Sequence, residues 1–290
     1  MSFGDQLRKV ARHIPGIKSK AGGIVIPVVR LEGTIGQDGR LSSGLNLARV
    51  AGRLEQAFKT KEAPCVALVI NSPGGSPVQS NLIYQRVRAL AEEKEKEVLI
   101  FVEDVAASGG YMIACAGDEI IIDQASIVGS IGVVAAGFGF SEAIAKIGVE
   151  RRLYTAGESK AMLDPFSPED KKDVARLKDL QAHLHEVFKS MVRARRGDKL
   201  DDKNKKLFSG DIWIGQGAID VGLADKIGDL RGELRARFGD DVRMKLIAPP
   251  KNLFGRPQPA SGIGAAAGEA AIRALFSELE DRSHWQRFGL

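Results

Sequence analysis

Residues 65–75 have the sequence CVALVINSPGG, and this stretch decides the fold class that we expect for the chain. Its first part is a short, continuous apolar run without alternation, which is typical of a strand buried on both faces of a parallel sheet. The Ser-Pro-Gly-Gly that follows is a turn signal. We therefore predict a central parallel strand at 65–71 that ends in a glycine-rich turn.

The segments on both sides of this stretch alternate between strand and helix patterns. Further apolar strands are predicted at 23–36, 98–102 and 119–123, and helices with apolar residues at helical spacing at 44–58 and after Gly75. A last αβ segment runs through 208–230. This alternation predicts an α/β fold with right-handed crossovers, in which functional groups lie past the carboxyl ends of the strands.

The longest helix is predicted to begin near Ser167, with Ser167 as N-cap and Pro168 at the first helical position. Its apolar stripe is expected to pack into the core, and it comprises Val174, Leu177, Leu180, Leu184, Val187, Phe188 and Met191. His183 and His185 lie within this helix and are expected to be solvated or flanking. All four histidines lie far from the glycine-rich motifs in sequence, which argues against a histidine base.

Composition excludes several classes of protein. The 290 residues are 44% hydrophobic and 27% charged, which is typical of a globular chain. A net charge of +5, spread along the chain, does not indicate nucleic-acid binding. Cys65 and Cys115 form no C-x-x-C motif, so a disulfide framework and a zinc motif are excluded. We expect no membrane span and no secretory signal, and therefore a cytoplasmic location.

Ser108 lies in VAASGGY (105–111), between the end of a predicted strand and the start of a short helix. Small neighbours there expose the hydroxyl and let backbone N–H groups point at a bound carbonyl, which suits a nucleophile. A serine that only caps the helix fits equally well. Similarly, Gly74 and Gly75 suit an oxyanion-hole donor paired with Gly109, or an ordinary tight turn.

A nucleophilic serine needs a base, and a lysine can serve where burial favours its neutral form. Lys160 in AGESKAM (156–162) is the candidate, and the alternative is a surface lysine in a loop. Ser130 lies in the glycine-rich VGSIGV (128–133). Its hydroxyl can hold the amine of such a lysine, or it can bond to the local backbone.

Five motifs occur in an order and spacing that resemble the signal peptide peptidase A family of serine proteases, which is related in fold to Clp protease and the crotonases. They are NSPGG (71–75), ASGGYMIA (107–114), GSIGV (129–133), GESKAMLDPF (157–166) and FSGDIWIGQGAIDVGLADKIG (208–228). The resemblance implies a crotonase/Clp-protease-like spiral of βαβ units in one catalytic domain at 24–247. A basic N-terminal arm (1–23), a Pro/Gly/Ala-rich linker (248–270) and a C-terminal helical tail (271–290) complete the expected organisation.

The resemblance also implies roles for individual residues. Ser108 is expected to be the nucleophile, Lys160 the general base and Ser130 the hydroxyl that orients the lysine. The N–H groups of Gly75 and Gly109 are expected to form the oxyanion hole, with Gly74 as the alternative donor. The implied activity is an ATP-independent endopeptidase acting on signal-peptide remnants or other small or unfolded polypeptides, without a metal or any other cofactor.

The chain departs from the family pattern at several places. The residue before the lysine is often aromatic in the family and is Ser159 here, and Asp211 and Ile214 stand where the family often has a basic residue and Thr. We expect the membrane anchor or signal sequence that is usual in the family to be absent. These residue departures are expected not to touch the Ser/Lys pair but to affect substrate fit or assembly.

The family also implies partners and competing functions. We expect peptide substrates, a homo-oligomer, no nucleic-acid partner, and peripheral membrane contact through the N-terminal arm. Two alternatives remain open at this stage. One is an acyl-CoA hydratase or isomerase on the same fold, and the other is a non-catalytic scaffold at a membrane surface.

Overall fold

A computed structural model describes residues 23–36, 44–157 and 159–248, together with residues 285, 286 and 288. Within these ranges the chain forms eight strands and seven α-helices. The strands are β1 (Val25–Glu32), β2 (Cys65–Ser72), β3 (Glu97–Ala107), β4 (Glu119–Ile122), β5 (Ile127–Gly129), β6 (Ile212–Ile214), β7 (Lys226–Ile227) and β8 (Arg243–Leu246). The helices are α1 (Leu47–Phe58), α2 (Pro77–Lys94), α3 (Gly109–Ala114), α4 (Ser141–Lys146), α5 (Lys171–Arg196), α6 (Gln216–Asp220) and α7 (Leu230–Phe238).

The strands form one sheet in the order β6-β5-β3-β2-β1-β8, with β4 paired to β3 and β7 paired to β4. Every pair is parallel except the antiparallel pair of β5 and β6. Helices connect β1 to β2, β2 to β3 and β3 to β4, as the alternation in the sequence predicts. The α/β fold predicted from the sequence is confirmed.

Strand β3 is longer than predicted and carries two neighbours along the same edge. Its first part pairs with β4 through Leu99–Val102, and its last part pairs with β5 through Val105–Ala107. The sheet therefore branches near Glu103 and Asp104, the polar residues at which the sequence pattern ended the strand too early. Because of this branch, β5 ends beside the carboxyl end of β3.

Alternation along the central strands divides the core between the two faces of the sheet. On one face, Leu68 and Ile100 belong to the larger cluster, which includes residues of α1, α2 and α3. On the other face, Ala67 and Leu99 pack in a smaller cluster with Leu234 of α7. Strand β2 is covered on both faces and paired on both edges, as its unbroken apolar run predicts.

Helix α5 begins three residues later than the sequence predicts, since the helix starts at Lys171 and not at Pro168. Asp170 is its N-cap, and the carboxylate accepts a hydrogen bond from Lys172 N–H at 2.6 Å. The predicted cap, Ser167, instead donates its hydroxyl to Asp164 Oδ2 at 3.0 Å. Both residue types are good caps, and Asp170 has the extended backbone that a cap requires, so the prediction for Ser167 is wrong.

The predicted packing of the α5 stripe into the core is also largely wrong. Leu180, Leu184 and Val187 are 50%, 42% and 56% exposed. Of the predicted stripe only Phe188 is buried, and Val192 joins it one turn later. Helical spacing indicates which face of a helix is apolar, but it does not indicate whether the same chain covers that face.

A buried ion pair fixes the end of α5 to the sheet. Arg196 is 4% exposed, and its Nη1 and Nη2 donate to Asp225 Oδ2 and Oδ1 at 2.8 and 3.0 Å. Asp225 Oδ2 also accepts from Ile120 N–H in β4 at 2.8 Å. Burial raises the pKa of Asp225, but the hydrogen bond and charge of Arg196 outweigh it and hold this pKa below its ordinary value.

We expect Arg196→Ala to lower the free energy of unfolding by about 3–5 kcal/mol, because it leaves a buried carboxylate without its main partner. Lys199→Ala is the control, since Lys199 is exposed and binds the same carboxylate at 2.6 Å, and should cost about 1 kcal/mol or less. Urea unfolding followed by circular dichroism measures both. Equal losses in the two variants would contradict the role assigned to Arg196.

The same pair should make stability depend on pH. Because the folded state lowers the pKa of Asp225, its contribution is complete above the carboxyl pKa of the unfolded chain, about 4, and is lost as pH falls through the folded value. The stability gap between wild type and Arg196→Ala should therefore narrow below about pH 4.

The predicted arm (1–23), linker (248–270) and tail (271–290) lie almost entirely outside the described residues, and the membrane contact proposed for the arm stays a prediction. In the ranges that the structure does describe, no helix combines the length and the apolar character needed to cross a membrane.

Candidate active site

Ser108 occupies the sharp turn between β3 and α3. Its backbone has φ 50° and ψ −119°, which a residue with a side chain rarely adopts. Ser108 N–H donates to Gly129 O at 2.9 Å, and Ser108 O accepts from Met112 N–H at 3.0 Å. The side chain makes no capping hydrogen bond, although the residue stands at the N-cap position. The hydroxyl is therefore not used to close the helix.

Ser108 lines a cavity of about 270 Å³ at the carboxyl ends of the parallel strands. Its walls come from the ends of β1 and β2, from α3 and from α5. They include Ile35, Gly75, Ser108, Gly109, Met112, Leu184 and Phe188. The position agrees with the general rule that sites in such sheets lie beyond the carboxyl ends of the strands.

Two glycines of the turn after β2 let the backbone approach Ser108. Gly74 has φ 107°, and a β-carbon there would lie 2.8 Å from Ser108 Cβ and 2.9 Å from Gly109 N. Gly75 has φ 137°, and a β-carbon there would lie 2.1 Å from Ile35 O. Any side chain at either position would therefore displace the wall of the cavity.

The backbone N–H groups around this turn differ in whether they already donate a hydrogen bond. Gly74 N–H donates to Ser72 Oγ at 3.2 Å. Among the residues described, Gly75 N–H and Gly109 N–H donate to no carbonyl or side chain. They lie close together, since a β-carbon on Gly109 would be 3.4 Å from Gly75 N. Two neighbouring free donors beside a serine can bind an oxyanion.

Ser130 lies next to Ser108 because β5 is paired with the end of β3. The register joins Ala107 to Gly129, so each serine directly follows a paired position. Ser130 is 3% exposed and has φ 51°. Its N–H donates to the main-chain oxygen of Asp211 at 2.7 Å. Asp211 thus touches the Ser130 motif, but through its backbone, so its departure from the family residue type leaves this contact unchanged.

Lys160 lies apart from this group. It is exposed in the turn that follows Gly157, and its N–H donates to Gly157 O at 3.2 Å. It is not among the described residues that line the cavity of Ser108. The structure therefore brings together Ser108, Ser130 and the glycines, while Lys160 stays outside that cluster in the single chain.

One histidine lies beside the site, contrary to the expectation from sequence. His185 Nε2 donates to Ile131 O at 3.1 Å, one residue after Ser130. Helix α5 packs across the GSIGV motif, and this contact joins positions 54 residues apart. No local signal in the sequence predicts it.

The two cysteines are not alternative nucleophiles. Cys65 and Cys115 are buried and unpaired. Burial raises the pKa of each thiol to about 12, so neither forms a thiolate near neutral pH.

Comparisons with known proteins agree on a family. The profile of peptidase family S49 matches residues 90–237, which include Ser108, Ser130 and Lys160. The chain is 27% identical to "Serine protease SPPA, chloroplastic" of Arabidopsis thaliana over 88% of its length and 39% of that protein. It is 34% identical to "Protease 4" of Haemophilus influenzae over 70% of its length and 32% of that protein.

A more similar sequence carries a different name. The chain is 55% identical to "Na(+)/H(+) antiporter NhaA" of Brucella abortus over 91% of its own length, but it spans only 37% of that protein. The alignment thus leaves most of that longer protein uncovered. The chain likewise spans less than half of both proteases.

Proposed function

The chain belongs to peptidase family S49, and we propose that it is a serine endopeptidase with Ser108 as nucleophile and Lys160 as general base. The observation that carries this proposal is the backbone of Ser108, whose φ of 50° holds the residue in the wall of a cavity beside Gly75 and Gly109. Strained residues of this kind cluster at functional sites. The proposed substrates are signal-peptide remnants or other small or unfolded polypeptides, cleaved without ATP.

In the proposed mechanism, Ser108 Oγ attacks the carbonyl carbon of the peptide while the neutral amine of Lys160 takes the hydroxyl proton. The tetrahedral intermediate then expels the leaving amine of the substrate. This leaving amine receives from Lys160 the proton that came from Ser108. Water, deprotonated by the same lysine, hydrolyses the ester on Ser108 and restores the enzyme. Ser130 is assigned to hold the lysine amine in line with Ser108.

The proposed oxyanion hole consists of the N–H groups of Gly75 and Gly109. Their free state and their proximity support this choice. The hydrogen bond from Gly74 N–H to Ser72 Oγ argues against the alternative donor. In other serine proteases, the loss of one such donor costs about 100–1,000-fold in kcat.

We further propose that the active form is a homo-oligomer. Lys160 has to reach Ser108 for the dyad to work, and in the single chain it lies outside the cavity. The segment that carries it also exposes apolar side chains, including Phe138, Ile147 and Tyr154. A second copy that covered these side chains and the exposed stripe of α5 would place a lysine, its own or its neighbour's, at each site.

Substitution of two stripe residues tests the oligomer. We expect Leu180→Asp combined with Val187→Asp to convert an assembly of several 31.2 kDa chains into monomers and to lower peptidase activity at least tenfold, about the effect of losing one well-placed interaction. Leu246→Asp is the control, because Leu246 is also exposed but lies on β8. Light scattering combined with a peptide assay gives the answer. A fully active wild-type monomer would refute the proposal.

A peptide library separates the proposed function from its competitors. Wild type should generate new peptide termini, detected by mass spectrometry, and should leave an enoyl-CoA thioester unchanged. Hydration or isomerisation of the thioester without peptide cleavage would support a crotonase-type enzyme instead. A preparation that does neither, but binds liposomes, would support the non-catalytic scaffold.

A further inference from the structure

The turn that carries Lys160 has an unusual backbone close to the lysine. Leu163, three residues after Lys160, has φ 55°. Across the described part of the chain, four non-glycine residues have positive φ, and two of the others are Ser108 and Ser130. A leucine in this conformation is strained and persists only when surrounding contacts hold it.

Two side chains from the start of α5 supply such contacts. Asp173 Oδ2 accepts a hydrogen bond from Leu163 N–H at 3.2 Å, and the Arg176 guanidinium donates to Ser159 Oγ. Residues three apart on a helix share one face, so Asp173 and Arg176 bind the turn from the same side. Their attachment points lie on either side of Lys160 in the sequence.

The contact at Ser159 depends on the hydroxyl of its side chain. Ser159 stands where the resembled family often has an aromatic residue. A hydroxyl can accept a hydrogen bond from a guanidinium, whereas a phenyl ring offers no such acceptor. The exposed Ser159 is thus tied to α5 through its side chain, while the neighbouring Lys160 projects from an otherwise anchored turn.

The segment 151–166, which carries the Lys160 turn, has a second and separate set of contacts. Arg151 forms an ion pair with Asp164 at 3.5 Å and lies over the ring of Phe166 at 5.6 Å. These contacts join parts of the segment 151–166 to one another, but they do not join the Lys160 turn to α5. Among the described residues, the hydrogen bonds of Asp173 and Arg176 connect the turn to α5, the helix that also lines the cavity of Ser108.

We propose that Asp173 and Arg176 are positioning residues that clamp the Lys160 turn onto α5 and so fix the direction from which its amine approaches a nucleophilic serine. This inference rests on the proposed function, because it assigns a purpose to the position of Lys160. Neither residue is expected to touch the substrate. Their loss should therefore lower kcat and leave KM almost unchanged.

The first test is kinetic and compares variants that keep or remove the hydrogen bond. Asp173→Ala should lower kcat about tenfold with KM within about twofold, since a misplaced base loses rate more than binding. Asp173→Asn should recover most of the rate, because its amide oxygen still accepts from Leu163 N–H. Lys178→Ala, an exposed neighbour on α5, is the control.

The second test does not need peptidase activity. Trypsin should cut after Lys160 about tenfold faster in Asp173→Ala than in the control, both in a Ser108→Ala background, because loss of an anchor opens the turn locally. Cleavage at other sites should be unchanged. Arg176→Ala should behave in the same way.

The two tests separate failure of the clamp from failure of the proposed function. Unchanged trypsin cleavage after Lys160 overturns the clamp, whether or not the protein is a peptidase. Faster cleavage with unchanged kcat overturns its role in positioning the base. If the kcat of Asp173→Asn is as low as that of Asp173→Ala, the hydrogen bond from Leu163 N–H to Asp173 is not what positions the base. Absence of wild-type peptidase activity refutes the proposed function alone, and the trypsin result then decides the clamp.

Discussion

Ser108→Ala should lower kcat/KM for peptide hydrolysis by at least about 10⁴-fold, because the variant cannot form the covalent intermediate. The fold should be kept, since the Ser108 side chain makes no capping hydrogen bond and its backbone contacts, to Gly129 O and from Met112 N–H, remain available to alanine. Initial rates on a cleaved library peptide measure the loss, and thermal unfolding checks the fold.

Ser190→Ala is the matched control for this substitution. Ser190 is exposed on α5, away from the cavity walls, and alanine is a good helix former. Its rate should equal that of wild type. If Ser108→Ala keeps more than a hundredth of the wild-type rate while it remains folded, Ser108 is not the nucleophile.

Lys160→Ala should lower kcat by at least about 10³-fold, within the range that general base catalysis contributes. Lys160→Arg should be equally inactive, because a guanidinium keeps the positive charge but does not release its proton near neutral pH. The pair of variants thus separates a base from a residue that only supplies charge. The same peptide assay measures both.

The control for the lysine variants is Lys178→Ala, which removes an exposed lysine from α5 and should leave the rate unchanged. Activity in Lys160→Arg close to that of wild type would contradict the assignment of Lys160 as base. It would point to a purely electrostatic role and would require another group to accept the proton of Ser108.

The sequence was sufficient for those parts of the fold that depend on local pattern. The unbroken apolar run of β2 predicted a strand buried on both faces, and the glycine-rich turns after β2 and β3 do lie together around the cavity. Parallel strands bring their carboxyl ends to one edge, so the clustering of Gly75, Ser108 and Gly109 followed from topology.

Other features depend on contacts between distant parts of the chain, and the sequence did not predict them. Glu103 and Asp104 interrupt the apolar pattern of β3 at the point where the strand changes partner, and no local signal in the sequence marks a branch. The contact of His185 with Ile131 exists only because α5 crosses the GSIGV motif. The exposed stripe of α5 has the same spacing as the apolar stripe of a core-facing helix. It is exposed because the described part of the chain does not cover it.

The candidate site likewise combines features that the sequence pattern predicts with features that depend on contacts between distant parts of the chain. The neighbouring positions of Ser108 and Ser130 result from the pairing of β3 with β5, which the strand pattern makes plausible but does not specify. The position of Lys160 results from a turn attached to α5 by Asp173 and Arg176, and a motif match gives no information about such an attachment.

The most direct measurement of the central claim is covalent labelling by a fluorophosphonate probe, which reacts with an activated serine hydroxyl by displacement of fluoride. Mass spectrometry of the digested wild-type protein should locate one adduct, on Ser108. Labelling of Lys160→Ala should be at least about 100-fold slower, because the hydroxyl has lost its base. A preparation that cleaves peptides but carries its adduct on another serine, or carries none, would contradict the assignment of Ser108 as the nucleophile.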